Sequence, residues 1–222
     1  MGDGYALSST SSRMLDGLDF SLRYRGGNGD GYAMNQLWQA LGQLQLAWSP
    51  VTPADEDHIY RGIGIDRKRN LSYISDSQAD VVYIFNSDSS RPPIGSLRDV
   101  SWQTESYGPY GVDVAEDGQV FVALMTFEDR NGDGIGDHSL WKCSPGGSVI
   151  ERVCMLPSAP RGIKVFGAGM KAVVFVAGNL GELIRCTPKT ENEFKAEVLF
   201  NTGIKENQQS ILPNEAQTVF YA

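Results

Sequence analysis

Apolar residues recur along this chain in short alternating runs separated by Gly- and Asp-rich turns, and the same arrangement returns four times. The stretches are DGLDFSLRYRGGNGDGYAM from Asp16, RGIGIDRKRNLSYIS from Arg61, YGVDVAEDGQVFVA from Tyr110 and RGIKVFGAGMKAVVFVA from Arg161. Each carries a glycine, an alternating apolar segment, a polar or Gly-rich turn and a second β-rich segment. The anchoring glycines, Gly17, Gly62, Gly111 and Gly162, are spaced by 45, 49 and 51 residues. In the third stretch Val112 and Val114 alternate with polar neighbours, and Asp117-Gly118 supplies the left-handed residues of a tight hairpin. Val120, Phe121 and Val122 then form a nearly continuous apolar run, the pattern of a strand covered on both faces.

After its first hairpin each later unit continues into a second: SQADVVYIFNSD with SLRDVSWQT, DHSLWKCSPGGSVIERVCML, and LGELIRCTPKTENEFKAEVLFN. Four strands per unit make the class all-β, and a repeat of this length matches the ~40–50 residues of a four-stranded β-propeller blade. One domain spanning 1–222 is expected, with units near 16–57, 58–108, 109–158 and 159–206. In MNQLWQALGQLQLAWSP, helical and strand spacings compete, and Gly42 together with the repeat phase favours two strands. The C-terminal NEAQTVFYA resembles the second strand of a unit, and the N-terminal GDGYALSS repeats the GDGYA at Gly29 to Ala33. Residues 1–15 and 207–222 are therefore expected to share a composite blade, giving about five, since joining the chain ends removes exposed sheet edges. The alternative is a piece of a ring of six to eight blades.

Composition narrows the function classes. Within 222 residues, 19 Lys and Arg stand against 27 Asp and Glu, a net charge of −8 that removes the general attraction to phosphate backbones. Nucleic acid is not expected as a partner, nor membrane insertion, because no apolar run approaches the ~18–20 residues of a membrane span. The 25 glycines point to many tight turns. Of the three cysteines, Cys143 and Cys186 fall at equivalent positions of neighbouring units, about one sheet spacing (~10 Å) apart, too far for a disulfide. A hairpin centred on Pro145 to Ser148 pairs Cys143 near Ile150 rather than with Cys154, so three free thiols are expected.

GIGIDRKRNLSYISDSQADVVYIFN, from Gly62 to Asn86, resembles an NHL repeat: Gly-apolar-x-apolar-Asp, a turn, a Tyr-containing strand, Asp-Ser, and an apolar strand ending in Phe. The resemblance extends partially over two further units. It implies a propeller related to NHL proteins and, more distantly, to gluconolactonase-type and streptogramin-lyase-type enzymes. Such propellers host unrelated functions.

The sharpest chemical motif is Asp129-Arg-Asn131-Gly-Asp133-Gly134-Ile135-Gly-Asp137. Oxygen ligands at alternate positions converge on one hard cation, with glycine at the sixth place for the bend and a backbone carbonyl at the seventh. Asp129, Asn131, Asp133, Ile135 and Asp137 occupy the first, third, fifth, seventh and ninth places. Leu140 stands at the twelfth, where a full EF-hand has its bidentate Glu. The expected cofactor is calcium, stiffening a long loop; the competing reading is a polar turn between strands. Abundant calcium outside the cell makes an extracellular or periplasmic setting the expected one, although the N-terminus shows no secretion signal.

A second constellation follows from topology. The residue before each anchoring glycine, Asp16, Arg61, Tyr110 or Arg161, sits at the mouth of the central channel, where propellers by resemblance hold ligands. Two guanidiniums and a phenol suit a carboxylate, a phosphate or a sugar. Alternatively each arginine pairs with a nearby acid such as Asp113 or Asp66. Asp76, ending the second strand of its unit, is a further candidate. Lactonase-type propellers are expected to hold a channel metal with an Asn before a repeat glycine, and no Asn precedes any of the four. His58 and His138 are the only histidines, and no Gly-x-Ser-x-Gly elbow occurs. Gly167 to Ala172 mimics a dinucleotide fingerprint but leads into a strand where a helix is required. The reading is a non-catalytic binding or scaffolding propeller that recognises a protein or carbohydrate on one face. The alternative is a metal-dependent lactone hydrolase or lyase acting at the channel.

Overall fold

The computed structural model describes residues 60–86, 93–103, 108–203, 212–213 and 220–221. Asp16, the unit 16–57 with its two expected strands, and residues 1–15 lie outside the described residues. Three four-stranded antiparallel sheets follow one another, each a meander. The first holds β1 (Tyr60–Asp66), β2 (Leu71–Asp76), β3 (Val81–Asn86) and β4 (Gly95–Leu97). The second holds β5 (Pro109–Val114), β6 (Val120–Leu124), β7 (Ser139–Cys143) and β8 (Ile150–Met155). The third holds β9 (Pro160–Phe166), β10 (Val173–Gly178), β11 (Glu182–Pro188) and β12 (Phe194–Asn201). β5 lies against β1 on one side and β9 on the other, so the first strand of every sheet faces its counterparts. These are blades of a β-propeller. A short ladder of β13 (Leu212–Pro213) and β14 (Phe220–Tyr221) follows, with β13 beside β9 and β10.

Local chemistry explains the meanders. Asn70 and Asp80 adopt φ of 56° and 51° in the turns after β1 and β2, residue types that tolerate the left-handed region. Gly118 closes the β5–β6 hairpin at φ 91°, and Gly146 and Gly147 close β7–β8, whose register sets Cys143 opposite Ile150 as expected. β6 is buried throughout because its two faces serve two cores. Val120, Val122 and Leu124 pack toward the first blade with Tyr73, Leu97, Trp102 and Trp141, while Phe121 and Ala123 pack toward the third with Ile163, Val174 and Ile184. Each large side chain so enclosed contributes roughly 1.5–3 kcal/mol. Trp102 meets Trp141 edge to face at 5.8 Å between blades.

Polar bonds tie neighbouring blades at their inner strands. The Ser75 hydroxyl donates to the Tyr110 carbonyl at 2.5 Å. Asp113, with a side chain 3% exposed, receives Lys164 Nζ at 2.9 Å and the Val165 N–H at 2.8 Å.

Candidate functional site

Strand register brings one end of all three blades together. Tyr60 pairs with Asp76, Pro109 with Leu124, and Pro160 near Gly178, so the starts of β1, β5 and β9 share a face with the turns after β2, β6 and β10. Arg61, Tyr110 and Arg161 are each the second residue of their strand. Within every blade that residue meets the one just past the second strand. Arg61 Nε donates to Ser77 Oγ at 3.3 Å, and Arg161 donates twice to Asn179 Oδ1, from Nε at 2.8 Å and Nη2 at 2.6 Å. Tyr110 packs on Met125.

The three then converge between blades. Both guanidinium carbons lie 5.0 Å from the centroid of the Tyr110 ring, Arg61 coming from one neighbouring blade and Arg161 from the other. Arg161 Nη1 also donates to the Tyr110 hydroxyl. All of its partners are neutral, and two of its five N–H donors remain without a partner among the described residues. The acids expected to neutralise the arginines are engaged elsewhere: Asp66 with Arg69 at 2.8 Å, Asp113 with Lys164. Asp76, fully buried, accepts the amides of Gln78 and Ala79 and so shapes the turn at this end. Its neighbour Asp80 is pushed up to about 6 by burial and then by the Asp76 charge, with Arg98 opposing. Ser77 and Asn179 were not singled out in the sequence; their equivalence one residue past the second strand was the signal that would have found them.

The connection from β6 to β7, residues 125–138, emerges on the same face. Its acidic side chains order its own backbone. Asp129 accepts the amides of Gly132, Asp133 and Gly134, Asn131 that of Asp133, Asp133 that of Ile135, and Asp137 that of Arg130. In this arrangement no three His, Cys, Asp or Glu side chains converge as a metal-ligand group among the described residues. The loop base is anchored by His138, whose Nδ1 accepts the Thr126 N–H at 3.2 Å, and burial lowers the imidazole's basicity.

The three cysteines are free thiols, as expected. Burial pushes the Cys143 thiol up to about 12. Cys186 is raised first by a hydrogen bond with Cys154, which approaches from the neighbouring blade, a contact between units that hairpin pairing within one unit does not reveal. Among the described residues no helix is long and apolar enough to cross a membrane.

No protein-family model matches the sequence, and no curated protein matches it. Solved structures with a similar course of the chain include a protein of unknown function from Bacteroides caccae, at 11% identity and a TM-score of 0.48 over 75% of this chain and 53% of that one. YCF48 from Cyanidioschyzon merolae follows at 15% identity and 0.40, over 72% and 48%. The β-propeller domain of Myceliophteria thermophila Cps50 (Swd1) is similar at 12% identity and 0.34, over 76% and 62%. This chain thus spans about half the length of the first two. At TM-scores below 0.5 these likenesses carry nothing about function, and nothing in them is specific to NHL or gluconolactonase-type propellers.

Proposed function

We propose that this chain is a non-catalytic recognition propeller that takes an anionic group, presented by a protein or a glycan, at the mouth of its channel. The observation that carries this reading is Arg161: a half-buried guanidinium held by Asn179 and Tyr110, all neutral partners, with donors to spare. A second guanidinium, Arg61, lies over the same ring, and an incoming carboxylate or phosphate meets the preset N–H groups of Arg161 beside it. Binding is favoured over metal-dependent hydrolysis at the channel because, in the three described blades, Arg61, Tyr110 and Arg161 hold the inward positions and none is a usual ligand of a divalent metal, while Asp76 at this end is taken up by the Gln78 and Ala79 amides.

The probe is citrate, followed by NMR on the arginine Nε–H signals. Citrate is expected to shift the Arg161 signal saturably, and Arg161→Ala to weaken binding by about tenfold or more, with Arg161→Lys between, because a charge-assisted hydrogen bond contributes ~1.5–3 kcal/mol. An unmoved Arg161 signal at saturating citrate, or wild-type affinity in Arg161→Ala, would sink the reading.

In the same reading the loop beside the mouth takes calcium through Asp129, Asn131, Asp133, the Ile135 carbonyl and Asp137. The oxygens of Asp129, Asn131 and Asp133 already turn inward onto loop amides. An ion needs Asp133 and Asp137 to swing toward Asp129. A weak loop of this kind, with dissociation constants near 10⁻⁴–10⁻³ M, suits an extracellular or periplasmic setting. Calorimetry of calcium into chelator-treated protein should give a one-site heat that Asp129→Asn combined with Asp133→Asn removes. Absence of heat with the wild-type protein at millimolar calcium refutes the site.

A further inference from the structure

A groove of about 400 Å3 opens where the ends of β6, β7 and β8 meet Ser101 of the first blade. Arg61, Tyr110 and Arg161 do not line it, so it is separate from the channel mouth. Its floor is apolar, made by Leu124 and Trp141, both buried and belonging to central strands whose two edges are already paired. An extended peptide therefore finds no free backbone edge on that floor to pair with.

Arg130, Asn131 and Asp137 of the β6–β7 loop form one rim of the groove, the Asp137 carboxylate being taken up by the Arg130 amide at 3.0 Å. The hydroxyls around the floor have a readable polarity. Ser139 Oγ accepts the Trp141 indole N–H at 2.9 Å, and Thr126 Oγ1 accepts the Glu128 amide at 3.2 Å, so each hydroxyl keeps its own proton to donate. Both residues are almost fully buried, 1% and 3% exposed, and neither proton has an acceptor among the described residues. Opposite them the Ser101 hydroxyl gives its proton to Asp99, which leaves Ser101 an acceptor. Arg152, facing Trp141 in the β7–β8 ladder, closes the groove with a guanidinium that has no hydrogen bond or ion pair among the described residues.

We infer that this groove binds a sugar acid, its carboxylate on Arg152 and its ring hydroxyls between the Ser139 and Thr126 donors and the Ser101 acceptor. A bare carboxylate satisfies only the arginine, and a neutral sugar leaves it unmatched. A hydroxylated ring bearing one carboxylate answers both halves of the site. The volume lies in the range of small-molecule sites, roughly 300–1,000 Å3.

The test is an NMR titration of the full chain with D-glucuronate, D-glucose and acetate in parallel. Glucuronate is expected to saturate with shifts at Ser139, Trp141 Nε1–H and Arg152, and to bind about tenfold more tightly than either glucose or acetate. Arg152→Ala, an exposed side chain whose loss leaves the fold intact, should reduce glucuronate affinity about tenfold, and Ser139→Ala a few-fold. In Arg161→Ala the groove signals of Ser139, Trp141 Nε1–H and Arg152 should keep their glucuronate midpoint, whatever glucuronate does at the channel mouth. Three outcomes overturn the inference: no saturable glucuronate binding, equal affinity for acetate, or wild-type affinity in Arg152→Ala. Loss in Arg161→Ala instead of Arg152→Ala would move the ligand to the channel mouth and equally overturn it, while a citrate response that persists when glucuronate fails would leave the channel-mouth reading standing.

Discussion

Gly111→Ala is expected to destabilise the protein by about 3 kcal/mol, near the upper end for overpacking, because the crowding atoms are largely backbone. A Cβ at Gly111 would stand 2.9 Å from Ile163 Cγ2 and 3.1 Å from the Arg161 carbonyl oxygen. Gly62 is at least as confined, with the Tyr110 carbonyl oxygen at 2.7 Å and the Val112 nitrogen at 2.9 Å. Neither glycine has a positive φ. Their role is to let the inner strands of neighbouring blades approach, and a methyl group pushes two blades apart at the end that carries Arg61, Tyr110 and Arg161. Urea unfolding measures the cost. Gly95→Ala is the control, since its added Cβ meets only Ile84 Cδ1 at 3.6 Å, ordinary contact, and a change within about 0.5 kcal/mol is expected. Equal stability of Gly111→Ala and Gly95→Ala would refute the close-approach role.

Asp113→Ala should cost a similar amount, about 3 kcal/mol, by a different route. The carboxylate is the only acid that Lys164 pairs with among the described residues, and it also takes the buried Val165 amide. Removing it strands a nearly buried ammonium and an N–H at once. Asp113→Asn keeps an acceptor for the amide and should fall between the two. Adding Lys164→Met to Asp113→Ala should recover part of the loss, because a stranded charge costs more than an apolar replacement of the pair. If the double variant is less stable than Asp113→Ala alone, the penalty does not come from an unpaired charge. Denaturant midpoints of the four proteins decide it.

The blade was legible in the chain because its information is local. Alternation with period two, apolar runs at Val120 to Val122, and turn residues such as Gly118 and Gly146-Gly147 act within a few residues, and the strand register followed them. The equivalence of Arg61, Tyr110 and Arg161 was legible for the same reason. Less was legible of what these residues touch. Asp66 and Asp113 were candidate partners for the arginines, whereas the folded chain gives them to Arg69 and Lys164. The first is a contact across a tight turn. The second joins separate blades, with 52 residues between Asp113 and the Val165 amide it also holds.

The repeat glycines show the same division. Their number suggested turns, and at Gly118, Gly146 and Gly147 that is their use. At Gly62 and Gly111 the requirement is the distance to the next blade. The sequence alone determined that this is an all-β chain of four-stranded units, and which glycines mark the inner strands, because hydrophobic period and turn conformation are properties of neighbouring residues. Only the tertiary structure decided that one tyrosine ring sits beside two arginines, that Asp113 reaches Lys164, and that Cys154 meets Cys186. Those contacts depend on how closely and at what angle blades pack, and that is settled by the fit of side chains from units some fifty residues apart.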